Sequence, residues 1–163
     1  MPSRVALFAG TFDPVTLGHL DLVRRAAPLF DELVVAVARA GKSTLFSAEE
    51  RVALFAEGVR TIPSVRVVPF DGLLVDVARR ERASVLLRGV RTIQDFEYEL
   101  RMMEMNRHLA PTLETLFLAP AAAYAFIASS LVREVSALGG DVSGLVPRHV
   151  AHALKAKSPL ADR

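Results

Sequence analysis

Short apolar runs alternate along the chain with longer stretches whose apolar residues recur every three or four positions. Val5–Ala9 (VALFA), Glu32–Ala38, Val65–Phe70, Ser84–Leu87 and Glu114–Leu118 are of the first kind. Their length and β-branched content predict buried strands. The second kind predicts helices. His19–Phe30 carries Leu20, Val23, Ala27 and Phe30 at helical spacing. Ser47-Ala-Glu-Glu50 is a capping box, in which a hydroxyl and a carboxylate satisfy orphan amides reciprocally, and it opens a helix running to about Arg60. Leu73–Arg82 and Ile93–Leu109 are further helices. Ser129 is expected to cap another, ending at the Gly139-Gly140 pair, and Pro147 to sit in the first turn of a last one. The polar tail from Lys155 to Arg163 is expected to fray.

Apolar strands, each followed by a helix, imply a parallel sheet covered on both faces. Five strands are too few for an eight-stranded barrel. The expected architecture is therefore α/β, an open, doubly wound five-stranded parallel sheet in one domain spanning residues 1–163. Ligands of such sheets bind beyond the carboxyl ends of the strands, so the loops after the first, second, fourth and fifth strands carry the candidate chemistry.

Composition narrows the classes. The chain is 52% hydrophobic with a mean hydropathy of +0.32, enough for a core and unlike a disordered chain. It has no cysteine, which removes disulfides and thiolate zinc sites and suits a reducing cytoplasm. The apolar run Val5–Ala9 is too short for a signal peptide or a membrane span. A net charge of +2 without a dense Lys/Arg stripe fits anionic small molecules better than nucleic acid.

The first loop, Gly10-Thr11-Phe12-Asp13-Pro14, leads to Gly18-His19 at the start of a helix. Gly10 permits a tight turn and close ligand approach. Thr11 adds a hydroxyl, and the helix start with His19 favours an anion. A lone helix-opening histidine is an ordinary surface residue; the whole string GTFDPVTLGH directly after a strand points to nucleotide phosphates. Lys42, in Arg39-Ala-Gly-Lys-Ser, is either a phosphate ligand or a solvated side chain, with Arg39 its nearby rival. Arg88 and Arg91 flank Gly89 and Val90 at the fourth strand's end, where the guanidinium fork suits phosphate oxygens. On the long helix, Glu99, Met102, Met103 and Asn106 share a face, which is either a half-buried packing surface or a ligand wall. The stretch Tyr124–Ser130 leads into a helix whose N-terminus is either a second phosphate seat or simply capped by serine. His108, His149 and His152 read as structural or surface residues. No metal-ligand set stands out.

GTFDPVTLGH, RGVRTIQDFEYE with MNRHL after it, and FIASSLVRE, in this order, resemble the phosphopantetheine adenylyltransferases, over roughly Arg4 to Lys157. The first motif alone marks the wider nucleotidyltransferase superfamily, with Thr16 where HxGH has its first histidine; the second is the more specific. The resemblance implies a Rossmann-like nucleotidyltransferase fold and the transfer of AMP from ATP to 4′-phosphopantetheine with Mg²⁺, giving dephospho-coenzyme A and pyrophosphate. It implies that His19 steadies the α-phosphate, that Thr11 and Phe12 meet ATP, and that Thr11, Lys42 and Arg88 meet the acceptor phosphate. Leu73, Leu74, Met102 and Asn106 would line the pantetheine arm. Gly89, Val90, Arg91, Glu99 and Tyr124, Ala125, Phe126, Ile127, Ala128, Ser129 and Ser130 would hold ATP. Ala128 stands where a serine is common, so only backbone contacts survive there. A homohexamer, feedback by coenzyme A and a cytoplasmic location are further implications.

Two other readings stand beside it. One is another small nucleotidyltransferase, such as a nicotinate mononucleotide adenylyltransferase, which would lack RGVRTIQDFEYE. The other is a non-catalytic nucleotide-binding module, which the retention of Thr11, His19, Lys42, Arg88 and Arg91 argues against. An aminoacyl-tRNA synthetase is excluded by size and by the lack of a KMSKS-like loop.

Overall fold

The computed structural model of the chain describes residues 4–39 and 43–158. Five strands, β1 (Val5–Gly10), β2 (Glu32–Ala38), β3 (Val65–Phe70), β4 (Val85–Gly89) and β5 (Glu114–Leu118), form one sheet in the order β3-β2-β1-β4-β5. Every pairing is parallel. Pro69 lies on β3, an edge strand, where a missing N–H is tolerated.

Among the described residues the α-helices are α1 (Leu17–Ala26), α2 (Ala48–Val59), α3 (Leu74–Arg80), α4 (Ile93–Leu109), α5 (Ser129–Ala137) and α6 (Arg148–Lys157). One core joins Phe8, Leu33, Val35 and Leu87 of the sheet to Leu20 and Val23 of α1, Phe55 of α2, Val132 of α5 and Leu154 of α6. The other joins Leu7, Val34 and Leu86 to Val75, Val77 and Ala78 of α3. Alternate residues of β1 and β2 thus feed opposite layers. The order reverses between β1 and β4, which puts the topological switch point, and the expected ligand crevice, at their carboxyl ends.

Several helix ends differ from the sequence expectation. Helix α1 starts at Leu17, two residues earlier, because Thr16 caps it. It stops at Ala26 and passes into a 3₁₀ turn, Ala27–Leu29, because Pro28 has no N–H to donate and its ring opposes a continuing α-helix. Helix α3 ends at Arg80, since Arg82 turns left-handed (φ 57°) and Ala83 N–H returns to Ala78 O at 2.8 Å. Ser129 is the first residue of α5, not its cap; Ala128 holds that position and makes no side-chain capping bond. Gly139, at φ 80°, closes α5, with Gly140 N–H on Val135 O at 2.9 Å. Pro147 stands at the N-cap of α6, one place before its first turn. Helix α6 continues through Lys157, whose ammonium pairs with Glu50 of α2 at 2.9 Å. The His149 ring meets Leu54 O at 2.8 Å, a structural bond that ties α6 to α2.

Helix α4 buries Glu99 and Asn106 but leaves Ile93, Tyr98, Met105 and Leu109 exposed. Among the described residues no helix is long and apolar enough to cross a membrane.

Candidate active site

A cleft of about 530 Å³ opens at the carboxyl ends of β1 and β4, with α1 and α5 on its rim. Its floor begins where β1 runs out. Phe12 is held at φ 51°, in the left-handed region that non-glycine residues seldom enter. Its ring is anchored by Phe8 (5.2 Å between centroids), Phe55 (4.7 Å) and His19 (5.0 Å). That packing holds the turn, and it leaves the exposed Thr11 at the mouth of the cleft.

His19 is placed by the start of α1. The Thr16 N–H donates to His19 Nδ1 at 3.1 Å, and the His19 N–H reaches back to the Thr16 hydroxyl at 3.4 Å. This is a capping box with histidine where glutamate or glutamine is usual. Because Nδ1 accepts, the neutral ring carries its proton on Nε2. Burial, with the Arg91 guanidinium adding to it, lowers the pKa from 6.5 to about 4. His19 is therefore a neutral Nε2–H donor at physiological pH. Of the other amides opening α1, Leu17 N–H is already bonded to Leu145 O at 3.0 Å.

Three arginines face the cleft, and a carboxylate holds each. Arg88 grips both oxygens of Glu99 at 2.6 and 2.7 Å and donates to Ala9 O at 2.8 Å. Three of its five N–H groups are so used, leaving two for a ligand. Arg91 pairs with Asp95 at 3.0 Å and donates to Ile127 O at 2.9 Å, which ties the loop after β4 to the approach to α5. Arg133, on α5, pairs with Asp13 at 3.5 Å and donates to the Asp13 carbonyl. The Ser129 hydroxyl donates to Pro14 O at 2.8 Å. The N-terminus of α5, where Ala128 makes no side-chain capping bond, lies against the first loop, and a helix start of this kind favours an anion.

The cleft thus collects Thr11, Phe12, His19, Arg88, Gly89, Arg91, Glu99, Tyr124, Ile127, Ala128, Ser129 and Ser130. Val90, Ala125 and Phe126 are not among its walls; Val90 instead donates its N–H to Leu118 O at 3.0 Å. Leu73, Leu74, Met102 and Asn106 also lie outside the cleft lining, with Leu73 exposed before α3 and Asn106 buried on α4. Lys42 lies outside the described residues. Ser43, Thr44 and Arg133 line the cleft without having been singled out from the sequence, and Asp13 and Asp95 line it without having been given a role there. For Arg133 a signal existed: it falls four residues after Ser129, on the same helical face.

Asp13, Asp95 and Glu99 are the carboxylates here, and each is engaged by an arginine. No group of three or more His, Cys, Asp or Glu residues forms a metal cage among the described residues.

Folding lowers the His19 pKa, so the unfolded chain takes up this proton first on acidification. The associated stability is complete above pH 6.5 and is lost as the pH falls toward 4. NMR titration of the ring, with His19→Gln protein to assign its signals, should show the neutral Nε2–H tautomer and a midpoint of about 4. A midpoint near 6.5, or an Nδ1–H tautomer, would contradict the geometry.

The cytidylyltransferase-like family profile matches residues 7–135. The phosphopantetheine adenylyltransferase of Methylococcus capsulatus is 52% identical over 153 residues, covering 93% of this chain and 94% of the relative. That of Xylella fastidiosa is 53% identical with the same coverage. Among solved structures, a candidate nicotinate-nucleotide adenylyltransferase from Vibrio parahaemolyticus superposes with a TM-score of 0.70 at 14% identity, over 94% of this chain and 92% of that one. A lipopolysaccharide core biosynthesis protein from Thermoplasma volcanium reaches 0.56 at 22% identity, over 72% and 98%. These two likenesses are of fold alone. The chain belongs to the cytidylyltransferase-like family and, within it, to the phosphopantetheine adenylyltransferases.

Proposed function

We propose that the cleft transfers AMP from ATP to the phosphate of 4′-phosphopantetheine, giving dephospho-coenzyme A and pyrophosphate, a step of coenzyme A biosynthesis. The observation that carries this reading is identity above one half, across nearly the whole chain, with enzymes named for that activity. The cleft chemistry supports it. An acceptor phosphate oxygen forms a bond to the α-phosphorus of ATP. The bond from that phosphorus to the β-phosphate's bridging oxygen breaks, and pyrophosphate leaves with the electron pair. The nucleophile is already an anion, so no general base is needed. What the protein must do is hold two anions in line and take up charge at the α-phosphate. A neutral Nε2–H donor suits the second task, because it needs no change of protonation state to act.

In this reading His19 donates to an α-phosphate oxygen, and Thr11, Phe12, Gly89, Val90, Arg91 and Tyr124–Ser130 hold ATP. Glu99 also holds ATP, and its bidentate pair with Arg88 aims that guanidinium. Lys42, Thr11 and the two free N–H groups of Arg88 receive the acceptor phosphate. Leu73, Leu74, Met102 and Asn106 serve the pantetheine arm. Mg²⁺ enters as part of the ATP substrate and neutralises phosphate charge. Coenzyme A, with the same arm, competes for the acceptor side, and the enzyme works in the cytoplasm. The exposed Ile93, Tyr98, Met105 and Leu109 of α4 support a homohexamer, whose contacts would cover them.

Protein mixed with ATP, Mg²⁺ and 4′-phosphopantetheine should release pyrophosphate in step with dephospho-coenzyme A. Release with nicotinate mononucleotide but not with 4′-phosphopantetheine would overturn the substrate assignment. Light scattering on the eluting protein should give about six times the 17.7 kDa chain mass; a monomer or dimer at micromolar concentration would exclude the hexamer.

A further inference from the structure

Arg51, on α2, is the largest fully buried side chain among the described residues, 1% exposed, and it is not part of the cleft lining. Its guanidinium donates to Thr11 O at 2.7 Å, Ala38 O at 2.8 Å and Phe46 O at 3.1 Å. No carboxylate pairs with it among the described residues. These carbonyls belong to three separate segments: the loop after β1, the end of β2 and the loop before α2. Ala38 ends β2 and Phe46 precedes α2, so one side chain joins the end of β2 to the approach to α2, beside Ser43 and Thr44 of the cleft lining. Asp13 adds a second grip, accepting Leu45 N–H at 2.8 Å and Phe46 N–H at 3.0 Å.

A buried cation satisfied only by carbonyls is costly to keep unless geometry is being specified. An apolar side chain could fill the space, but it could not span three carbonyls. Lysine could not either, since its ammonium is a compact point charge rather than a planar fork. From this arrangement we infer that Arg51 is a positioning residue for adenylyl transfer. It sets the nucleotide side of the cleft, through Thr11, in register with the loop after β2 on the acceptor side. The inference rests on the proposed reaction. Thr11 meets both substrates and the loop after β2 meets the acceptor, so loss of register falls on the transition state, where both substrates must align, more than on either binding step.

The test uses the full-length protein as Arg51→Lys and Arg51→Gln, beside wild type. Thermal unfolding and circular dichroism report folding, and isothermal titration reports affinity for a non-hydrolysable ATP analogue. Steady-state assays give kcat and the acceptor KM. For folded Arg51→Lys, kcat should fall roughly 10- to 100-fold while ATP affinity and acceptor KM stay within about 3-fold. Arg51→Gln should show the same split or a deeper fall in kcat. A folded Arg51→Lys with kcat within about 3-fold of wild type would overturn the inference, as would proportionate losses in kcat and both affinities. Failure of both variants to fold would assign Arg51 to stability alone and would also overturn it. A wild-type protein inactive with 4′-phosphopantetheine would instead count against the reaction, so the two failures are distinguishable.

Discussion

The cleft is organised around the bond from the Thr16 N–H to His19 Nδ1. That one contact starts α1, orients the imidazole and leaves the proton on Nε2, where it faces the crevice between β1 and β4. Burial against Phe12 and proximity to Arg91 then keep the ring neutral far below physiological pH. A cationic histidine would attract phosphate more strongly in the ground state. A neutral donor held in place costs nothing to reorganise when charge builds up at the α-phosphate. The preference for a donor over a full charge thus follows from how the first helix begins.

Around this donor the same pattern recurs, with each cation held from behind. Glu99 fixes Arg88, Asp95 fixes Arg91, Asp13 fixes Arg133, and backbone carbonyls fix Arg51. An arginine held this way loses little freedom when a phosphate arrives, because its fork is already aimed. The carboxylates also offset charge, so an empty cleft does not gather unpaired cations. Asp13 serves two loops at once, through Arg133 on one side and Leu45 and Phe46 on the other.

Much of this was legible in the sequence, for identifiable reasons. Strands β2, β3 and β5 and helix α4 matched the hydrophobic pattern to the residue, because continuous apolar runs and a long periodic segment are strong local signals. The ends of α1 and α3 were not, since Pro28 and the left-handed turn at Arg82 act through backbone geometry rather than periodicity. GTFDPVTLGH and the Arg88–Arg91 stretch come together in one cleft, because both follow strands that meet at the switch point. Pairing partners were invisible. Nothing local in sequence joins Arg51 to Thr11, 40 residues away, or Arg133 to Asp13, 120 residues away. Such contacts are made by the fold, and a buried arginine reads in sequence as an ordinary polar position of an amphipathic helix.

The central claim is that His19 acts on the transition state rather than on bound ATP. Turnover and ATP affinity measured side by side for His19→Ala test it most directly. The account predicts that kcat falls roughly 100- to 1,000-fold while the dissociation constant for ATP changes by about 3-fold or less. An equal loss in both would make His19 a ground-state ligand and contradict the account.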